Sequence, residues 1–118
     1  MRDDAVTDGA AVVARLRSAG CVFAEDEAAM LLSSATSSAE LDALVERRAS
    51  GEPLEQVLGW AEFAGLRIVV DPGVFVPRRR SEFLVSVAVG LAGWRPDGGG
   101  IPVVVDLCCG TGALGLAV

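Results

Sequence analysis

The chain has no histidine and no lysine, and only three cysteines: Cys21, Cys108 and Cys109. An odd count with two adjacent members makes no disulfide framework, so a reduced setting fits and a cytoplasmic location is expected. Without histidine or a second cysteine pair, no metal site is expected. The missing imidazole also leaves Cys108 and Cys109 without a base, which favours small packing residues over nucleophiles there. Every cation is Arg, which reflects genome composition rather than chemistry. Long apolar runs are scarce. Met1-Arg-Asp-Asp4 is acidic with no apolar run behind it, so no N-terminal signal is expected. The stretch from Phe83 to Trp94 is apolar and follows Arg78–Arg80, but at about a dozen residues it is too short to cross a bilayer. No membrane role is expected.

What remains is a globular composition: 118 residues, 52% hydrophobic and 5% aromatic. That leaves room for one ordinary domain, or for a small domain plus a fragment. The net charge of -6 is unevenly spread. Residues 1–46 carry nine acids and three Arg, whereas residues 47–95 carry seven Arg and five acids. The acidic lobe argues against non-specific nucleic-acid binding by the N-terminal part, and direct nucleic-acid binding by the chain is not expected.

Three short amphipathic helices are predicted first. Thr7 or Asp8 can cap one that runs to about Ala19, with Val12, Val13 and Leu16 on one face and Gly20 as its stop. Glu25–Glu27 favour a second helix start, with Ala28, Leu31, Leu32 and Ala35 as its apolar stripe. Ser37-x-x-Glu40 is a capping box for a third helix, with Leu41, Leu44 and Val45 inward and Gly51 at its end. Residues 51–59 read as a linker with its own turn. Residues 60–64 and 66–71 can pair as a hairpin around Gly65, and Pro72-Gly73 marks a turn. Val74–Val76 is extended. Ser81 can cap a helix with Leu84, Val87, Ala88 and Leu91 on one face, although alternation through Phe83, Val85, Val87 and Val89 would also suit a strand. Residues 96–100 read as a loop.

The stretch Val103-Val-Val-Asp-Leu-Cys-Cys-Gly-Thr-Gly112 carries the most chemistry. Three β-branched residues read as a fully buried strand. Asp106 follows, then small residues with Gly110 and Gly112, and then the start of a helix over Ala113 to Val118. Strand, acid, glycine-rich loop and helix start is how a doubly wound α/β sheet opens its nucleotide site. An ordinary tight strand-to-helix turn would look the same. The spacing is not Gly-x-Gly-x-x-Gly, and no Gly-Lys-Ser/Thr follows. At Arg78-Arg-Arg-Ser-Glu82, guanidinium groups can stand at the rim of a site, or the run can be a solvated turn.

Several motifs occur in order: Gly51-Glu-Pro-Leu…Leu-Gly59, Glu62-Phe-x-Gly-Leu66, Val70-x-Pro-Gly-Val74, Val76-Pro-Arg78 and Asp106-x-x-x-Gly-Thr-Gly112. As a set they resemble the HemK/PrmC family, the protein-(glutamine-N5) methyltransferases of peptide chain release factors. The match covers roughly residues 47–118. The resemblance implies an α/β chain: a small N-terminal helical bundle over 1–50, a linker with a β-hairpin over 51–77, and the beginning of a Rossmann-like methyltransferase domain over 78–118. It implies S-adenosyl-L-methionine as cofactor, bound along Cys108, Cys109, Gly110, Thr111 and Gly112, with Asp106 at the strand end. Arg78, Ser81 and Glu82 would form the rim. The implied substrate is the glutamine of a release factor's Gly-Gly-Gln motif.

The chain departs from the family at three places. Arg79, Arg80 and Ser81 stand where Pro, Glu and Thr are usual, Gln56 where Tyr is common, and Cys108 where the loop's first Gly is usual. The family's amide clamp, Asn-Pro-Pro-Tyr, is not among these residues; the resemblance implies that it lies beyond Val118. No catalytic residue is therefore expected up to Val118, and these residues alone are expected not to transfer a methyl group. Two rivals are carried forward. One is a non-catalytic, partner-binding module that folds through its helices and ignores the cofactor. The other is a methyltransferase acting on an exocyclic amine of a nucleic-acid base, for which Arg78–Arg80 would matter.

Overall fold

A computed structural model describes residues 9–93 and 100–118. The Thr7 or Asp8 cap, and the loop over 96–100 except for Gly100, lie outside the described residues. The chain divides after Leu58 into two compact units.

The first unit is helical. Helix α1 spans Gly9–Ser18 and buries Val12 and Leu16. Gly20, at φ 91°, ends it; a left-handed residue there suits glycine. Helix α2, Ala24–Ser34, opens on Glu25, Asp26 and Glu27 and buries Ala24, Ala28 and Leu31. Leu32 stays exposed, and Ala35 is the residue that closes the helix. Helix α3, Ser38–Ala49, buries Leu41 and Val45. The predicted linker is not bare: Pro53 precedes a short helix α4, Leu54–Leu58, that places Val57 in the same core. Proline suits a first helical turn because its missing N–H would find no partner there anyway.

The start of α3 is capped by a side chain. Ser37 Oγ accepts from the Glu40 N–H at 3.1 Å. Glu40 does not reach back to Ser37, as a closed capping box would; its Oε2 accepts from the Thr36 N–H at 2.7 Å and from the Thr36 hydroxyl. Arg48, on α3, donates to both carboxylate oxygens of Glu27 on α2, at 2.7 and 3.1 Å, and to the Glu52 carbonyl at 3.1 Å. That fork holds two helices and the following turn in one register.

Hydrogen bonds from the Thr36 hydroxyl, and then from its N–H, hold the Glu40 carboxyl below the usual carboxylate range. Glu52 is lowered by Arg47, and Glu25 by its own backbone N–H and Arg17. A carboxyl depressed by folding stabilises above its unfolded pKa, and that contribution disappears as pH falls through the folded value. The helical unit is therefore expected to lose melting temperature as pH drops from about 5 to about 3. Glu40→Gln should flatten part of that slope, as followed by circular dichroism; an unchanged slope would remove Glu40 from the explanation.

The second unit begins with a hairpin. Strands β1, Trp60–Phe63, and β2, Leu66–Val69, pair antiparallel with Trp60 opposite Val69 and Phe63 opposite Leu66. Ala64 and Gly65 both take positive φ, 48° and 77°, as a two-residue turn matched to strand twist requires. Ala61, Phe63, Ile68 and Val70 are buried on the inner side. On the other, the Arg67 guanidinium lies 3.8 Å from the centre of the Trp60 ring. After Pro72 and Gly73, Val74 N–H closes a turn on Asp71 O at 3.1 Å, and no regular element follows up to Arg78, whose own backbone is extended.

A 3₁₀ turn, Arg79–Ser81, leads directly into helix α5, Glu82–Gly93. The helix wins over the strand alternative. Ser81 is not a capping side chain; it is the last residue of the 3₁₀ turn. Glu82 Oε1 instead accepts from the Ala64 N–H at 2.9 Å, tying the hairpin turn to the helix start. Only Val85 of α5 is buried, while Leu84, Val87 and Leu91 of the expected face are exposed. Helix α6, Ala113–Ala117, packs against α5. Val118 does not continue it, as the sequence pattern suggested; it is the capping residue, and its N–H donates to Leu114 O at 3.2 Å. Phe63, Ile68, Val85 and Ala113 form this unit's core, with Leu114 and Ala117 packed on it.

The predicted buried strand over 103–107 is absent. Val103, Val104 and Val105 are 89%, 51% and 72% exposed, and the two-stranded hairpin is the sheet found among the described residues. A parallel strand needs neighbours and covered faces, and no described strand pairs with this stretch. Among the described residues the architecture is helices with one antiparallel hairpin. No described helix is long and apolar enough to cross a membrane.

Candidate functional site

The loop that follows Asp106 is shaped by backbone angles that most side chains avoid. Cys108, Gly110 and Gly112 all have positive φ, at 55°, 56° and 78°. Gly112 N–H donates to Cys109 O at 2.8 Å. Thr111 Oγ1 accepts from the Ala113 N–H at 3.3 Å, covering one of the free donors of the first helical turn. Gly112 then caps α6 through its left-handed conformation rather than through a side chain.

Asp106 has a structural duty. Its Oδ2 accepts from the Gly115 N–H at 2.9 Å. A Cβ added at Gly115 would lie 3.1 Å from Asp106 Cβ and 3.2 Å from Oδ2. A side chain at Gly115 would therefore crowd Asp106, and the bond between the two ties the end of residues 103–106 to the first turns of α6.

On the other side of this loop lies a cleft of about 220 Å³. One wall is Cys108, Cys109, Gly110 and Thr111; the other is Phe75, Pro77, Arg78 and Ser81; Phe63, Ala113 and Leu114 complete it. Arg78 lies 5.2 Å from the centre of the Phe75 ring. The cleft thus holds one guanidinium, two thiols, two hydroxyls and two aromatic rings.

Six of the residues singled out in the sequence meet here: Arg78, Ser81, Cys108, Cys109, Gly110 and Thr111. Three do not line this cleft. Asp106 faces α6, Glu82 serves the hairpin turn, and Gly112 starts the helix. Phe63, Phe75 and Pro77 were not assigned to a site, although Phe63 and Pro77 lie within quoted motifs. A second, mostly apolar groove of about 150 Å³ lies between α5 and residues 104–106, with Leu84, Val85 and Leu114 among its lining. Val118 lines this groove.

Cys108 occupies a conformation that costs an L-residue about 1 kcal/mol relative to glycine. Cys108→Gly is expected to stabilise the second unit by up to about 1 kcal/mol, less the extra freedom glycine gives the unfolded chain. Urea denaturation would read this; a clear loss of stability would mean the thiol makes packing contacts that outweigh the strained backbone.

No family model matches the chain. Similar curated proteins do. The release factor glutamine methyltransferase of Bifidobacterium longum is 46% identical over 77 residues, 64% of this chain and 25% of that protein. The protein of the same name from Mycolicibacterium smegmatis is 44% identical over 80 residues, 68% of this chain and 27% of that one. The Agrobacterium fabrum protein of that name is 37% identical over 81 residues, 69% and 28% of the two chains. The matched stretch spans about a quarter of the length of these relatives. Over that stretch the resemblance seen in the motifs is shown: the chain is similar to the release factor glutamine methyltransferases, HemK/PrmC.

Proposed function

We infer that this chain supplies the cofactor-loop portion of an S-adenosylmethionine-dependent methyltransferase that acts on the glutamine side-chain amide of a translation release factor. The observation that carries this reading is the 37–46% identity, over some 77–81 residues, to proteins that bear that name. The cleft's chemistry supports it. The cofactor's amino-acid end carries a carboxylate, and Arg78 offers a planar guanidinium that suits one. Small residues at 108–112 leave room beside the backbone, and a side chain at Gly110 would project from the loop that forms the wall.

When bound, the cofactor supplies an electrophilic methyl group on a sulfonium. The residues of this chain bind and orient. Arg78 holds the carboxylate end. The loop from Cys108 to Thr111 fixes depth. Phe63, Phe75 and Pro77 give the cleft apolar surface. Asp106, through Gly115, and Glu82, through Ala64, keep loop and hairpin in place without touching the ligand. An amide nitrogen is a weak nucleophile, so transfer depends on positioning in line with the methyl group. No residue up to Val118 is assigned to that step.

The test is calorimetric titration of the chain with S-adenosylmethionine, followed by displacement with S-adenosylhomocysteine. Saturable binding that Arg78→Ala weakens about tenfold or more is expected, which is the loss of about one charged hydrogen bond. Absence of saturable binding by the folded chain would overturn the cofactor assignment.

A further inference from the structure

The methyl-transfer reading leaves two groups of the cleft unused: the thiols of Cys108 and Cys109. Both side chains are exposed, both line the same cleft, and both are free. Cys109 Sγ approaches the Gly110 carbonyl at 3.8 Å, and no described side chain bonds to Cys108. The third cysteine, Cys21, is buried in the helical unit, and burial pushes its thiol pKa up.

Consecutive Cα atoms are about 3.8 Å apart, closer than the roughly 4.4–6.8 Å that disulfides favour. A direct sulfur–sulfur bridge between these two residues is therefore strained, and the pair persists as a dithiol. Inserting a large atom between the sulfurs removes that strain. Soft thiolates select soft centres. Once one sulfur has bonded, the second reacts at the high effective concentration of a tethered neighbour.

We propose that Cys108 and Cys109 form a dithiol site for trivalent arsenic in the loop wall of the cleft. With an organoarsenous acid, RAs(OH)₂, two As–O bonds break and two As–S bonds form. The two thiol protons leave with the hydroxides as two waters. Arsenic stays trivalent, and nothing is oxidised or reduced.

The test uses the full chain and phenylarsonous acid, read by intact mass spectrometry under a challenge of excess monothiol. One arsenical per chain is expected. Its release should be about a hundredfold slower than from C108S or C109S, the advantage of a second tethered bond. C21S should behave as the unaltered chain. The proposal is overturned if either C108S or C109S retains the arsenical as long as the unaltered chain does, or if C21S loses it. Circular dichroism of each variant confirms that serine leaves the helices in place. The measurement uses no cofactor, so its failure leaves the methyl-transfer reading untouched, and failure of that reading leaves the dithiol site standing.

Discussion

Phe63→Ala is expected to unfold the second unit. Phe63 is fully buried, and among the described residues its buried cluster holds Ile68, Val85 and Ala113 besides. Truncating a buried Phe typically costs about 3–5 kcal/mol. That loss rivals the whole stability of a small domain, which is only about 5 kcal/mol at the low end. The helical unit has a separate cluster around Leu16, Ala24, Leu31 and Leu41, which shares no buried residue with Phe63. Amide exchange should therefore accelerate across residues 60–69 and 82–93, while amides of α1, α2 and α3 remain protected. Phe63→Leu, which fills most of the volume, should retain the hairpin. If protection fell equally in the helices, the division into two cores would be the wrong description of how this chain is stabilised.

Gly110→Val should abolish cofactor binding while leaving the helical unit folded. Gly110 sits at φ 56°, where a β-branched residue is strained by about 1–3 kcal/mol. The added Cβ would lie 4.0 Å from Phe75 O, so space for the first carbon exists. Harm comes from the backbone angle and from the branched methyls at the cleft wall. Affinity for S-adenosylmethionine is expected to fall a hundredfold or more, about 3 kcal/mol. Gly90→Ala is the control. Nothing lies within 4 Å of the Cβ it would add, and its φ is not in the left-handed range; in the interior of α5 alanine is favoured by about 1 kcal/mol. It should leave affinity unchanged. Equal affinity in G110V and the unaltered chain would move the cofactor away from this loop.

What was legible in the sequence was local. Ser37 with Glu40 marks the start of α3 because a side-chain oxygen three residues upstream meets an unpaired N–H. Gly65 marks the hairpin because two positive φ angles are needed at its turn. Small residues at 108–111 and the proline corner before Arg78, both visible without coordinates, mark two stretches that line one cleft. What was not legible depended on a neighbour. Val103–Val105 have strand propensity, but a strand is a relation with another strand, and none is described beside them. The same limit applies to α5, where period alone selected Leu84 and Leu91 while packing buried Val85. The role of Asp106 was hidden for a different reason. Its partner is the backbone N–H of a glycine nine residues ahead, a contact that no side-chain pattern announces. Cys108 was visible as a departure from the family, but its cost became apparent only with its backbone angle.

The exposed valines have a consequence for how the chain behaves in a tube. Residues 101–107 present Ile101, three valines and Leu107 to solvent, and no described strand occupies their backbone donors and acceptors. Two such segments can satisfy each other. Pro102 removes one donor but not the rest. Self-association of this kind is nucleated and rises with at least the square of concentration, whereas unfolding within one molecule does not. Dilution, more than cooling, sets the working lifetime of a sample, because weakening the hydrophobic effect by cooling leaves the unpaired backbone available.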